Sequence, residues 1–368
     1  MTDLALYGTL RDPDILRIVL GRAGGEMPSA RLSGYRVAMV AEQHYPMIWP
    51  EGEADCEIDI LQGLDAGDLA RLDFYEDVFG YTRTTISYKA RPLQIYLPPE
   101  GGSWPKGGVF DPATWAVAHG ALTRLAAQDI MSSYGIETAK AVAARLPIIR
   151  ARAQAHLRAG DHPPAGEPPL RHMSIAHQDT VYNGFFNLID IEAAYQRFDG
   201  SLSDPAGRLI LDLGEAVTVL PYDPQRDLVL LIEQFRPAAV VQGDPNPWLL
   251  ETVAGICDEG ETYEQTAQRE AREEAGVALQ ALHLIGRYYP SQGAVAQILI
   301  SYIGLADLAQ DYDSTHGLLA EGEDIRAFTL PFDEAFRLVQ EARLSNAPLL
   351  LSLMALDRMR AARGWPSQ

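Results

Sequence analysis

Residues 255 to 277 read GICDEGETYEQTAQREAREEAGV, and the spacing of acids, alanines and glycines within them sets the reading of the chain. Thr262 followed three residues later by Gln265 is a capping-box start. Gly276 can take the left-handed conformation that stops a helix, so the spacing predicts one helix over 263–275. Within it Glu270, Glu273 and Glu274 stand at i, i+3 and i+4 and share a face. Tyr263, Ala267, Ala271 and Ala275 form a neighbouring stripe of mostly small residues that can lie close to a sheet. Three carboxylates at that distance repel one another. A divalent cation among them removes the cost, and hard oxygen ligands suit Mg²⁺ or Mn²⁺.

Gly255 is followed after five residues by Glu261 and after seven more by the run Arg269 to Val277. This pattern resembles the Nudix box, the hallmark of hydrolases that cut nucleoside diphosphates linked to another group. The resemblance implies that Glu270 and Glu274, helped by Glu273 and the carbonyl of Ala254, hold the metal, with Glu273 also counted among the catalytic residues. It further implies that Glu261 with Arg269 braces the loop of the box against the helix.

Upstream, Leu209–Leu213, Ala216–Leu220 and Leu228–Glu233 read as strands, the last two joined by a turn at 223–227. The wording VLLIEQFRP (229–237) and PWLLETVAG (247–255) resembles the ADP-ribose pyrophosphatase branch of the Nudix family. That branch implies hydrolysis of ADP-ribose to AMP and ribose 5-phosphate by a homodimer with exchanged N-terminal strands. Arg236 would contact the substrate and Glu251 would help recognise it, with Arg208 as a candidate second phosphate contact. Downstream, HGLLAEGEDIR (316–326) resembles the loop that brings a catalytic glutamate over the metals. Glu321 is the matching position and Glu323 the alternative. Many ADP-ribose enzymes carry a proline in a Ser-Pro-Gly segment after the box; here the segment reads Pro290-Ser291-Gln292-Gly293, so another nucleotide sugar stays open as substrate.

At the other end of the chain, the strand-like Leu4–Tyr7 runs into Gly8-Thr9-Leu10 and then, past Arg11-Asp12-Pro13, into a helical pattern through Leu20. A strand, a glycine turn and a helix N-terminus together make a pocket of backbone N–H groups suited to an anion. With LSGYR (32–36), YPMI (45–48), QGL (62–64), LDFYE (72–76) and YTR (81–83), the set resembles the gamma-glutamylcyclotransferase-like (AIG2-like) fold, a small mixed α/β barrel. The resemblance implies that Tyr7, Gly8, Thr9 and Leu10 hold the substrate's glutamyl amine and carboxylate and that Glu76 is the general acid/base. A carboxyl with its pKa raised by a partly closed pocket suits that proton transfer. The family's usual glycine after the glutamate is absent, since Asp77 and Val78 follow, and a ligand-sensing module without turnover is the alternative. The pairing of the two domains also resembles the TrgB-type proteins linked to tellurite resistance.

The expected fold class is therefore α/β (α+β). It comprises a cyclotransferase-like barrel over 1–105, a helical connector and linker over 106–172 with two or three helices broken at Gly135 and Pro147, and a Nudix α/β/α sandwich over 173–368. At 368 residues the chain can bury two cores. Thirty Lys and Arg against 50 Asp and Glu give a net charge of −20, which opposes broad binding to nucleic acid. A small nucleoside diphosphate sugar can still be held with metal ions and a few arginines. Two cysteines, Cys56 and Cys257, imply no disulfide framework. No apolar run approaches about 18 residues, so no membrane span is expected. Both observations fit a cytoplasmic location.

Overall fold

The computed structural model describes residues 2–98, 104–161, 171–318 and 322–362. The chain forms two compact units. The first comprises Met1–Leu170 with Thr180–Asn187, and the second comprises Arg171–Asp179 with Leu188–Gln368.

In the first unit, β1 (Thr2–Leu6) enters a 3₁₀ turn (Thr9–Arg11) and α1 (Pro13–Leu20). Strands β2 (Ser29–Val40) and β3 (Pro46–Leu64), α2 (Ala66–Val78), and strands β4 (Thr82–Tyr88), β5 (Arg91–Leu97) and β6 (Lys106–Val109) follow. The strand order β4-β5-β1-β3-β2-β6 leaves β4 and β6 as edges, so the sheet is an open half-barrel, with β1 parallel to β5 and antiparallel to β3. Helices α3 (Pro112–Trp115), α4 (Ala121–Ser132), α5 (Ala139–Ala143) and α6 (Leu146–Arg158) complete it, with one π-helical turn at Ala116–Gly120. Ala127, Ile130, Val142 and Ile149 from these helices share one apolar core with Leu4, Leu10, Leu16 and Tyr75. Pro147 opens α6 instead of breaking a helix, as the missing N–H of proline allows in a first turn.

Strands β7 (Met173–Asn183) and β8 (Asn187–Tyr195) form a hairpin whose tip, Thr180–Asn187, belongs to the first unit; in the second unit β9 (Ala206–Asp223), β10 (Leu228–Phe235), α7 (Pro237–Gln242), β11 (Trp248–Glu251) and β12 (Val253–Ile256) follow. The predicted helix is α8 (Tyr263–Ala275). Strands β13 (Ala281–Tyr288), β14 (Val295–Leu305), β15 (Asp313–His316) and β16 (Ile325–Pro331) and helices α9 (Phe332–Gln340) and α10 (Ala347–Arg360) follow. The two strands expected at 209–213 and 216–220 are one. Gly214, at φ +79°, absorbs an extra residue where the pairing with β14 shifts from Ala296↔Asp212 to Gln297↔Gly214, and β9 runs on through this bulge.

β9 lies parallel to β14 at the centre of the ten-stranded sheet. One face of the sheet, with Val217, Val219, Val253 and Ile300, buries Ala267, Ala271 and Ala275 of α8. The other, with Leu220, Val229, Leu231 and Ile303, buries Phe332 of α9 and Leu349, Leu353 and Leu356 of α10. This is an α/β/α sandwich, and the fold class is α+β throughout.

Candidate functional site

Helix α8 is fixed at both ends by its own sequence. Thr262 accepts from the Gln265 N–H, the Gln265 side chain accepts from the Thr262 N–H, and Gly276 stands at φ +63°. Three alanines on the sheet-facing side let the helix approach β12 closely, which brings its glutamates against backbone. Glu274 is buried, and its Oε2 accepts the Ala254 N–H at 2.9 Å. Glu270 packs on Gly255 so tightly that a Cβ there would fall 1.7 Å from Glu270 Oε1; only glycine makes this cradle. Arg269 donates to both oxygens of Glu261 (2.9 Å each), to Glu270 Oε1 (2.6 Å), to Glu273 Oε2 (3.1 Å) and to the Ile256 carbonyl (3.1 Å). It thus braces the loop of the box and neutralises part of the acidic face.

Burial pushes the Glu270 carboxyl up to about 7 against the pull of Arg269. It pushes Glu274 up to about 9, against the Ala254 N–H, with the charges of Glu270 and Glu323 adding to the rise. One buried and one half-buried carboxyl that resist ionisation, the second held against a glycine backbone, form a hard oxygen donor set short of positive charge, which fits a divalent cation. Among the described residues no three such side chains yet converge on one point, and Arg269 holds Glu270 and Glu273 toward itself.

Arg236, at the end of β10, pairs bidentately with the buried Glu251 of β11, Nε to Oε1 at 2.8 Å and Nη2 to Oε2 at 2.7 Å. Glu251 is the first cause holding the Arg236 pKa up, and Glu274 and Glu323 also contribute. Arg236, Glu251, Glu270, Glu274 and Glu323 therefore share one electrostatic neighbourhood. Glu323 Oε2 accepts the Leu318 N–H at 3.1 Å. Glu321 lies outside the described residues. Arg208 is exposed and donates to the Gly207 carbonyl at 2.7 Å. It stands ten residues along β9 from Thr218, the partner of Ala254, or about 30 Å of extended strand. The structure does not bring it to the acidic face within one chain.

Sequence reasoning missed Glu215 and Arg287. The buried Glu215 accepts from Tyr263 (3.0 and 3.1 Å) and from Arg287 Nη2 (2.8 Å), so Tyr263 ties α8 to the sheet by its hydroxyl as well as by packing. Glu215 and Arg287 lie 72 residues apart on different strands, and no local pattern announces them.

In the first unit Glu76 lies near the end of α2, partly covered, and burial pushes its carboxyl up to about 8. Tyr7, Tyr75, Tyr81 and Tyr96 surround it; burial first, and the Glu76 charge among the further causes, raises all four hydroxyls. Tyr7 donates to the Tyr96 carbonyl (2.9 Å), and Tyr96 donates to Asp73, which Arg83 grips through both oxygens (2.7 and 2.9 Å). Gly8 faces Pro46, and Leu10 is buried in the core behind the turn. The helix N-terminus expected to hold an anion is already occupied. Asp12 caps α1 by accepting from Asp14 and Ile15 N–H, and Arg124 neutralises Asp12.

The capped acidic helix, its glycine cradle and the adjacent arginine define a class, that of hydrolases whose glutamates take a divalent cation beside a phosphate-bearing substrate. The chain belongs to the Nudix family and is a Nudix hydrolase: residues 212–353 match the NUDIX domain model, and relatives of that family align over most of their length. The ADP-ribose pyrophosphatase of Escherichia coli (strain K12) is 37% identical over 185 residues, covering 50% of this chain and 88% of that protein. That of Haemophilus influenzae is 33% identical over 187 residues, covering 50% and 86%. The GDP-mannose pyrophosphatase of Yersinia enterocolitica is 32% identical over 168 residues, covering 46% and 82%. Residues 4–112 match the model for gamma-glutamyl cyclotransferase, AIG2-like. A solved ADP compounds hydrolase aligns over 52% of this chain and 96% of its own at a TM-score of 0.40 and 18% identity.

Proposed function

We propose that the second unit hydrolyses ADP-ribose to AMP and ribose 5-phosphate with Mg²⁺, or Mn²⁺ in its place, held by Glu270, Glu274, Glu273 and the carbonyl of Ala254. The observation that carries this reading is the buried Glu274 and the half-buried Glu270 held against Ala254 and Gly255, with Arg236 and Glu251 next to them. A cation held by these residues would supply positive charge to the diphosphate and lower the pKa of a bound water. Arg236, a planar and permanently charged guanidinium oriented by Glu251, offsets phosphate charge by bidentate donation. Glu321 removes the proton of the attacking water, with Glu323 as the alternative base, and Glu251 fixes how Arg236 faces the substrate. AMP release from ADP-ribose, compared between the intact chain and Glu274→Gln, tests the reading. Turnover that is absent, or that survives the substitution, counts against it. GDP-mannose and other nucleotide sugars in the same assay separate ADP-ribose from its rivals.

For the first unit the same reasoning supports a gamma-glutamyl cyclotransferase. Its substrate amine would attack the γ-carbonyl, release the departing amine and form a cyclic lactam. A Glu76 carboxyl with a pKa of about 8 lies close enough to neutrality to take the proton from one nitrogen and return it to the other. Release of 5-oxoproline from γ-glutamyl amines tests this; ligand binding without release would assign a sensing module instead. The likeness to tellurite-resistance proteins enters no step, since Cys56 and Cys257 are both buried.

A further inference from the structure

The last turn of α8 is gripped from outside the helix. Tyr312 donates its hydroxyl to the Ala275 carbonyl at 2.8 Å and lies 2.7 Å from His316 Nε2. Because the carbonyl can only accept, the tyrosine proton is committed to it, so His316 Nε2 carries the proton of the second bond. The two rings stack at 6.1 Å with an interplanar angle of 17°. Gly276 makes room for them: a Cβ there would come within 2.7 Å of His316 Cε1 and 3.0 Å of the Tyr312 hydroxyl. The next residue, Gly317, at φ +102°, donates its N–H to the Glu273 carbonyl at 3.3 Å. Leu318 then bonds Glu323 twice, through Leu318 N–H to Glu323 Oε2 (3.1 Å) and Glu323 N–H to the Leu318 carbonyl (3.3 Å). A side chain at Gly317 would collide with Glu323, its Cβ lying 2.8 Å from that of Glu323.

These contacts form one continuous connection from the helix that carries the proposed metal ligands to Glu323, whose charge acts on Glu270 and Glu274. The Tyr312 ring also lines a cavity of about 410 Å³ with Val277, Leu279, Leu308 and Ala309, so on that side its hydrogen bonds supply the constraint. We propose that Tyr312 and His316 are positioning residues of the hydrolysis, latching β15 to the last turn of α8 and thereby fixing Glu323 beside Glu270 and Glu274. Neither residue touches the reacting atoms. Their effect is to hold a charged group in register, and a misplacement of about 1 Å in such a site costs rate and not binding.

The inference rests on the second unit being the hydrolase, and two readouts keep the two apart. The first is turnover of a panel of nucleotide sugars by the intact chain, Tyr312→Phe, His316→Ala and His316→Gln, the last of which keeps a donor near the Nε2 position. The latch predicts kcat about tenfold lower in Tyr312→Phe and His316→Ala, KM and Mg²⁺ half-saturation within twofold of the intact chain, and near-intact kcat in His316→Gln. Unchanged kcat in the first two variants overturns it. So does a loss that His316→Gln shares, or one that moves in step with KM or metal dependence, because either describes general damage to the fold. The second readout needs no turnover. Amide hydrogen exchange at Gly317 and Glu323 should be at least tenfold faster in Tyr312→Phe, and equal protection in both chains overturns the latch even where the intact chain hydrolyses nothing in the panel.

Discussion

Glu274 and Glu76 are both carboxyls that burial holds above the ordinary glutamate value, and they make different demands of pH. At the proposed metal site, a proton on Glu274, pushed up to about 9, or on Glu270, at about 7, would compete with a cation for the same oxygens. Metal affinity should therefore rise as pH rises from 7 to 9, and titration calorimetry with Mn²⁺ across that range should show it. Glu274→Gln would remove the larger part of the competition along with a proposed ligand. It should weaken metal binding, flatten its pH dependence and lower kcat/KM by about 100-fold or more, as AMP release will report. For Glu76 the consequence is stability. Its folded pKa of about 8 stands above the ordinary 4.5, so its contribution is fully present below about pH 4.5 and is lost as pH rises through about 8. Melting of the first unit should fall in temperature between pH 5 and pH 8, and Glu76→Gln should show a smaller fall over the same window; equal slopes in the two chains would mean that Glu76 ionises freely.

Among the elements, α8 was legible in full because everything that defines it is local. The capping box, the three alanines and the stop glycine lie within fifteen residues, and each acts on its own neighbours. The close approach to β12 was legible only in part. The alanine stripe announces that the helix can come near a sheet, but not that Gly255 receives Glu270. A methyl at 255 would overlap the carboxylate, so Gly255→Ala should displace Glu270 and lower kcat at least tenfold while the circular dichroism melt moves by only a few degrees. Thr262→Ala, which removes the cap, should do the reverse, costing about 1 kcal/mol of stability with little effect on rate. Opposite outcomes for the pair would place the strain in the helix start and not in the cradle. What remained hidden depends on contacts across long stretches of chain. Gly214 reads as a break between strands, although a bulge carries β9 through it. The Tyr312 grip on Ala275 spans 37 residues and leaves no periodic signal. Arg236 and Glu251 were each readable as substrate contacts, yet that they pair with each other depends on the β10–β11 register, where Phe235 faces Trp248 and Ile232 faces Glu251.

At the scale of the whole molecule, the second unit exposes apolar surface that its two cores do not absorb. Phe235 and Trp248 meet edge to face at 5.5 Å and are about half exposed, and Val240 and Val241 of α7 follow directly. Met173 and Ile175 on β7 are also exposed, and among the described residues β7 pairs with β8 alone, leaving its other edge without a strand. A free strand edge together with a solvent-facing aromatic pair is costly to leave in water and invites association. No helix of the described residues is long and apolar enough to cross a membrane, so a membrane-spanning helix does not account for this surface. A second copy of the chain should cover Phe235, Trp248, Val240 and Val241, a two-fold axis setting the same residues against each other. Light scattering after size exclusion should accordingly return about twice the 40.4 kDa of one chain at micromolar concentration. Val241→Glu with Trp248→Glu should return the single-chain mass, because two carboxylates on each side of a symmetric contact repel their own images. A single-chain mass for the unsubstituted protein, or a double mass that survives both substitutions, would remove this face from the dimer.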